Sequence, residues 1–134
     1  VKRSTLTRRT ALKRSGSLRT RRKPTVPDIG REAWKTSRAG YCACGCGRFS
    51  MHLHGHHVIP LEVIKREKRL GLAWDERNRI DLHEICHGRH HSALHKLSMG
   101  VVPVLAREFA AELLGEARAA DYFARHYAGG ERWA

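Results

Sequence analysis

The sequence predicts a small α+β domain organised around metal: two short strands, a helix after the second, and further helices packed around them. Three observations carry this prediction. A run that ends in β-branched Val58 and Ile59 stops at Pro60, whereas helical periodicity dominates from Cys86 onward. Nine of the ten histidines fall between His52 and His95, interleaved with cysteines. The 134 residues suffice for one compact core and are too few for two.

Taken in order, residues 1–27 read as a basic arm. Leu6, Leu12 and Leu18 recur every six residues, a period of neither helix nor strand, among many like charges. A core spanning 28–100 follows. Asp28 to Ala39 reads as a helix with Asp28 as N-cap, Ile29, Ala33 and Trp34 facing inward, and Gly40 as its stop. Tyr41 to Arg48 is a cysteine turn. Met51 to Ile59 is the best strand candidate, and Pro60 to Leu70 is a helix with Leu61, Ile64 and the stem of Lys68 on one side. A loop through Trp74 to Asn78 leads to a short strand at Ile80 to Leu82. Cys86 to Leu97 has helical periodicity up to Gly100. In the extension 101–134, Pro103 to Tyr127 forms one long helix or two broken ones, with Leu105, Phe109, Leu113, Ala120, Phe123 and Tyr127 inward. These helices pack on the core or form a dimer interface, so the chain is expected as a monomer or homodimer. Trp34 and Trp74 are assigned to packing.

Charge narrows the class of partner. Lys and Arg number 26 against 13 Asp and Glu, a net of +13. Residues 1–24 hold ten of the bases and no acid, leaving the remainder nearly balanced. The expected partner is a polyanion, held partly by the arm through salt-sensitive contacts. No stretch approaches the roughly 18 apolar residues of a membrane helix, and no apolar core of a secretory signal is present, so a soluble, cytoplasmic protein is expected. Cys42, Cys44 and Cys46 are too close in sequence to staple distant parts of a fold. Together with Cys86 and the histidines they suit a reducing compartment and metal binding better than disulfides.

Spacing sharpens the metal expectation. His87 and His91 are four apart on a helix, so both imidazoles project from one face and can grip one ion. His56 and His57 stand side by side at the end of a strand, where alternation sends them to opposite faces. One of the two can share the ion of His87 and His91 while the other faces a substrate. Asn78 lies nine residues before His87.

In order and spacing, His56-His57-Val58-Ile59-Pro60, Asn78-Arg79-Ile80-Asp81-Leu82, His87 and His91 resemble the HNH nucleases, whose shared core is the ββα-metal (His-Me) finger. The resemblance covers about residues 31–96. Ser37-Arg38-Ala39-Gly40-Tyr41-Cys42 is similar to the stretch leading into the zinc knuckle of many phage and bacterial members. It implies a metal-dependent endonuclease hydrolysing DNA phosphodiester bonds and leaving a 3′-hydroxyl and a 5′-phosphate. His57 would be the general base, with His56, His87 and His91 on the catalytic ion. Asn78 would pin the loop between strands and orient the base. The resemblance further implies a structural Zn²⁺ held by Cys42, Cys46, His83 and Cys86, with Cys44 the alternative; all four cysteines, or His90 as a ligand, also stay open. Arg79 and Arg89 would grip flanking phosphates, while Lys65, Arg66, Lys68 and Arg69 form a second basic run. Many members place Asp where His56 stands. An all-imidazole shell suits Zn²⁺, Ni²⁺, Mn²⁺ or Co²⁺ better than Mg²⁺, and the catalytic ion stays open among these five. Two alternatives share these residues: a zinc-stabilised nucleic-acid-binding module without turnover, and a ribonuclease on the same core.

Overall fold

The computed structural model describes residues 25–92 and 95–132. The arm read as a nucleic-acid tether lies almost wholly outside them. In chain order the elements are α1 (Arg31–Lys35), β1 (Arg38–Tyr41), β2 (Phe49–His57), α2 (Leu61–Arg66), β3 (Arg79–Leu82), α3 (Glu84–His91), α4 (Val104–Leu114) and α5 (Glu116–His126), with short 3₁₀ turns between several of them. The strands form one antiparallel sheet in the order β1-β2-β3, so the fold is α+β.

The first helix is shorter than predicted. It starts after Gly30, not at Asp28, and stops at Lys35. There the Thr36 hydroxyl bonds back to the Glu32 carbonyl at 2.8 Å, a competing bond that makes such residues poor helix interiors. Ile29 and Ala33, expected inward, are exposed; Trp34 alone of the three is buried. The chain then forms β1, which has neither alternation nor β-branched residues. Pairing with β2 (Arg38 opposite Leu53, Tyr41 opposite Phe49) imposes the strand from outside.

β2 begins two residues earlier than predicted and ends at His57, before the β-branched pair. Val58 and Ile59 leave the ladder because Asn78 supplies their partners instead. Its carbonyl accepts from Val58 N–H at 3.0 Å, and its side chain bonds both backbone groups of Ile59 at 2.7 and 2.9 Å. Val58 and Ile59 are then free to turn fully into the core.

α2 closes after six residues, α3 after eight. α3 does not run on to Leu97 as expected, because Leu97 N–H is taken by His90 Nδ1 at 3.2 Å. The C-terminal helices are two, divided at Gly115, and they pack on the core: Phe109 and Phe123 are fully buried and Leu113 nearly so. Leu105, expected inward, is 56% exposed. Ion pairs reinforce the packing, Arg77 with Glu112 at 2.9 Å for α4 and Arg118 with Glu67 for α5. Tyr122 and Tyr127 of this region both donate to the Val58 carbonyl, at 3.2 and 3.1 Å.

Candidate metal centre and adjoining clefts

Four thiols converge where the β1–β2 loop meets the start of α3. Cys42 N–H bonds Arg48 O at 2.9 Å and Gly45 N–H bonds Cys42 O at 3.2 Å. Gly45 and Gly47, at φ of 80° and 75°, allow the turn to close this tightly. Cys42, Cys44, Cys46 and Cys86 thereby place all their sulfurs within 4.8 Å of one another. Neighbouring pairs are 3.3, 3.5 and 3.7 Å apart. A tetrahedral ion with Zn–S bonds of about 2.3 Å separates its sulfurs by about 3.8 Å, so the group fits a structural zinc ion. All four are free thiols. A backbone bond from Arg48 lowers the Cys46 thiol to about 7, while burial raises Cys44 and Cys86. A bound cation would reverse the latter by favouring thiolates.

His83 is not in this group: of the sets left open by the sequence, the structure brings together the four cysteines and not the mixed Cys42, Cys46, His83, Cys86 set. The His83 Nδ1 caps α3 by accepting from Ile85 N–H at 3.3 Å, and its backbone N–H donates to Cys42 Sγ at 3.2 Å. Cys44 takes the fourth place because the glycine turn brings alternate cysteines to one side. His90 is also absent from the thiol group and lies against His56 and Tyr127.

The second convergence joins β2 to α3. His56, His87 and His91 bring their ring nitrogens within 4.8 Å, with His87 and His91 Nε2 atoms 2.9 Å apart. Ligand nitrogens on a tetrahedral ion at about 2.0 Å would sit about 3.3 Å apart. His56 is 3% exposed, and neither of its ring nitrogens has a hydrogen-bond partner among the described residues. A buried imidazole with two unmatched nitrogens is costly alone, and a cation on one of them would relieve part of that cost. Burial, followed by the fields of His90, His87 and His91, pushes His56 down to about 2; burial and then His91 push His87 down to about 4.

This depression has a sign. In the unfolded chain His56 titrates near 6.5, so below that pH the unfolded state binds a proton that the folded state refuses. Stability contributed by neutral His56 is complete above 6.5 and is lost progressively as pH falls toward 2, by up to about 1.4 kcal/mol per pH unit. Without added divalent ion, denaturation midpoints should drop faster below pH 6.5 for the wild type than for His56→Leu. Parallel profiles for the two would contradict this.

His57 sits beside the trihistidine group and outside it. Its Nε2 lies 2.9 Å from the Ala73 carbonyl. A carbonyl only accepts, so Nε2 carries the hydrogen and Nδ1 is left as the basic nitrogen. The ring stacks on Trp34 at 3.8 Å and 22°, with Trp74 at 5.5 Å on a tilt. Burial holds His57 below the ordinary histidine value, against the opposing pull of the Ala73 bond and with help from Lys35 and Arg79. That shift favours the neutral ring.

Asn78, fully buried, locks the two residues that follow His57 through the three bonds described above. Asn78→Ala would leave both backbone groups of Ile59 unpaired. A loss of about 3 kcal/mol is expected in chemical denaturation, at about 1–3 kcal/mol for each buried group left unsatisfied.

Arg79 stands corrected as a phosphate contact. Its side chain is 1% exposed, bonded to Asp81 at 2.8 Å and to Thr36 O at 3.0 Å, and its guanidinium lies over Trp34 at 5.2 Å. Gly55 permits this, since a Cβ there would fall 3.0 Å from the guanidinium carbon. Arg79 is a strut beneath the Trp34–His57 stack. Arg89 is exposed on α3 and stays available.

Two clefts meet at His57 and His91. One, about 670 Å³, runs between α2 and α5 and carries Arg66, Lys96, Arg118 and Arg125 against Glu62 and Asp121. The other, about 550 Å³, lies on the α1 side and includes Trp34, Lys35, Leu61 and Trp74. Sequence reasoning missed the α5 wall and the Tyr122 and Tyr127 bonds to Val58. Their helical period was legible as an inner face, but nothing in it named the carbonyl they reach.

No protein-family model, curated protein or solved structure matches the chain. No helix among the described residues is long and apolar enough to cross a membrane.

Proposed function

We propose that the protein is a metal-dependent DNA endonuclease of the HNH type, with β2, β3 and α3 as its ββα-metal core and zinc in the four-thiol group. One observation carries this reading. Three imidazoles converge as a metal group while a fourth, His57, is kept out of it in a single tautomer by the Ala73 carbonyl. The ring also packs on Trp34, and what supports a catalytic use is that its free nitrogen, Nδ1, stands outside the metal group.

His56, His87 and His91 would hold the divalent ion, which when bound stabilises charge on the phosphate and the leaving oxygen. His57 Nδ1 would take the proton of the water that attacks phosphorus; a neutral, partly desolvated imidazole is suited to this at physiological pH. Asn78, Tyr122 and Tyr127 position that ring by fixing Val58 and Ile59, the next residues of the chain. Burial keeps both tyrosines protonated and able to donate. Arg66 in the α2–α5 cleft, with exposed Arg89, would offer cations to the flanking backbone, while Arg118 and Arg125 there are already paired with Glu67 and Asp121. Such contacts position DNA without specifying sequence, and the basic arm adds salt-sensitive affinity.

The test is a substrate survey. Plasmid, single-stranded DNA and RNA are incubated with the full chain plus Mg²⁺, Mn²⁺, Zn²⁺, Ni²⁺ or Co²⁺, and again with chelator. DNA cleavage with 3′-hydroxyl and 5′-phosphate ends, only where metal is supplied, is expected. Cleavage of RNA alone would make the protein a ribonuclease; binding without cleavage under every ion would make it a zinc-stabilised binding module.

A further inference from the structure

The α1-side cleft has a chemistry that phosphate binding does not require. Trp34 and Trp74 stand 5.5 Å apart in its wall, with Leu61 and Pro60 beside them, and it opens on His57, His87 and His91. The two tryptophans are not equivalent. Trp34 is 3% exposed and already covered by the His57 ring, whereas Trp74 is only half-buried. Lys35 holds its ammonium over the Trp74 ring, 5.7 Å from its centre, where an entering base would displace it toward its own phosphate, and the Trp74 indole N–H is fixed by donating to the Pro27 carbonyl at 2.7 Å. The indole N–H of Trp34 is buried without a hydrogen-bond partner among the described residues. Aromatic faces with a neighbouring cation are the means by which proteins hold unpaired bases of a single strand, and about 550 Å³ is within the range of small-ligand sites.

We infer that this recess takes one unpaired nucleobase of the DNA strand, stacked on Trp74, with Lys35 on that nucleotide's own phosphate and the scissile phosphate next to it at the histidines. The inference rests on the nuclease reading above and adds a substrate class: single-stranded or locally unpaired DNA. A base still paired in a duplex is stacked between its neighbours and cannot enter a side recess without being flipped out, which costs energy.

Two measurements on the full chain test it. An end-labelled oligonucleotide is cut alone and annealed to its complement, with Mn²⁺. The wild type should cut the single strand about tenfold faster or more, in line with the worth of one aromatic stack. Trp74→Ala should bring the ratio close to one, and Trp74→Phe should restore most of it. Equal rates on both substrates, or a ratio unchanged in Trp74→Ala, would overturn the inference. Separately, tryptophan emission is titrated without added divalent ion, using oligo-dT and a chain of equal length made of abasic residues. Oligo-dT should quench and the abasic chain should not, and Trp74→Phe should weaken the quench. Identical curves for the two chains would also overturn it. Failure to cut any strand would refute the nuclease reading, yet the quench would still decide whether a base is bound.

Discussion

If the four-thiol group holds zinc as proposed, removing the metal is expected to unfold the protein rather than merely loosen it. The four sulfurs gather where the β1–β2 loop meets the start of α3, and Cys42 and Cys86 belong to the main core. Structural zinc in finger peptides is worth about 10–16 kcal/mol at neutral pH, as much as the whole stability of an ordinary domain, about 5–15 kcal/mol. Chelated protein should therefore lose its cooperative thermal transition. The residues can be sorted by variant. Cys44→Ser should lower zinc content and the transition temperature together, because a fourth thiolate is gone. His83→Ala should keep the zinc and cost only an N-cap, about 1 kcal/mol. Metal analysis paired with thermal melts checks both; zinc lost from His83→Ala, or a chelated sample melting as before, would refute the assignment.

The contrast between Cys44 and His83 shows what the sequence made legible. The cluster of chemistry-bearing residues was plain in the bare chain because histidines and cysteines leave a compositional trace: strand alternation and a helical step of four brought one of His56 and His57 to His87 and His91, and the resemblance chose His56, the one the structure places there. The choice among closely spaced cysteines depended on turn geometry set by Gly45 and Gly47, which spacing rules do not encode. β1 was missed for a similar reason. Its four residues carry no strand signal, and only hydrogen bonding to β2 makes them extended. The ends of β2 and α3 were misplaced where a side chain, Asn78 or His90, satisfied backbone groups that the ladder or helix would otherwise have used. Arg79 looked like a free cation beside Asn78. Burial under Trp34 and pairing with Asp81 are long-range facts, invisible in the local sequence.

The largest effect expected on chemistry comes from His57→Ala. His57 is tied to the Ala73 carbonyl through Nε2, leaving Nδ1 to accept a proton, and it lies outside the metal-holding set. On the proposed mechanism its loss should remove general-base assistance, worth about 10²–10⁴ in rate, while both candidate metal groups and the cationic cleft stay in place. Trp34 would lose its stacked ring, so a melt must accompany the assay to show that the fold persists. The decisive measurement is the rate of DNA cleavage at saturating DNA by metal-loaded wild type and His57→Ala, with metal content and DNA affinity determined on the same samples. The expected result is a fall of about 10²–10⁴ in rate with metal content and affinity retained. Cleavage by His57→Ala at the wild-type rate would contradict the role of His57 as the base.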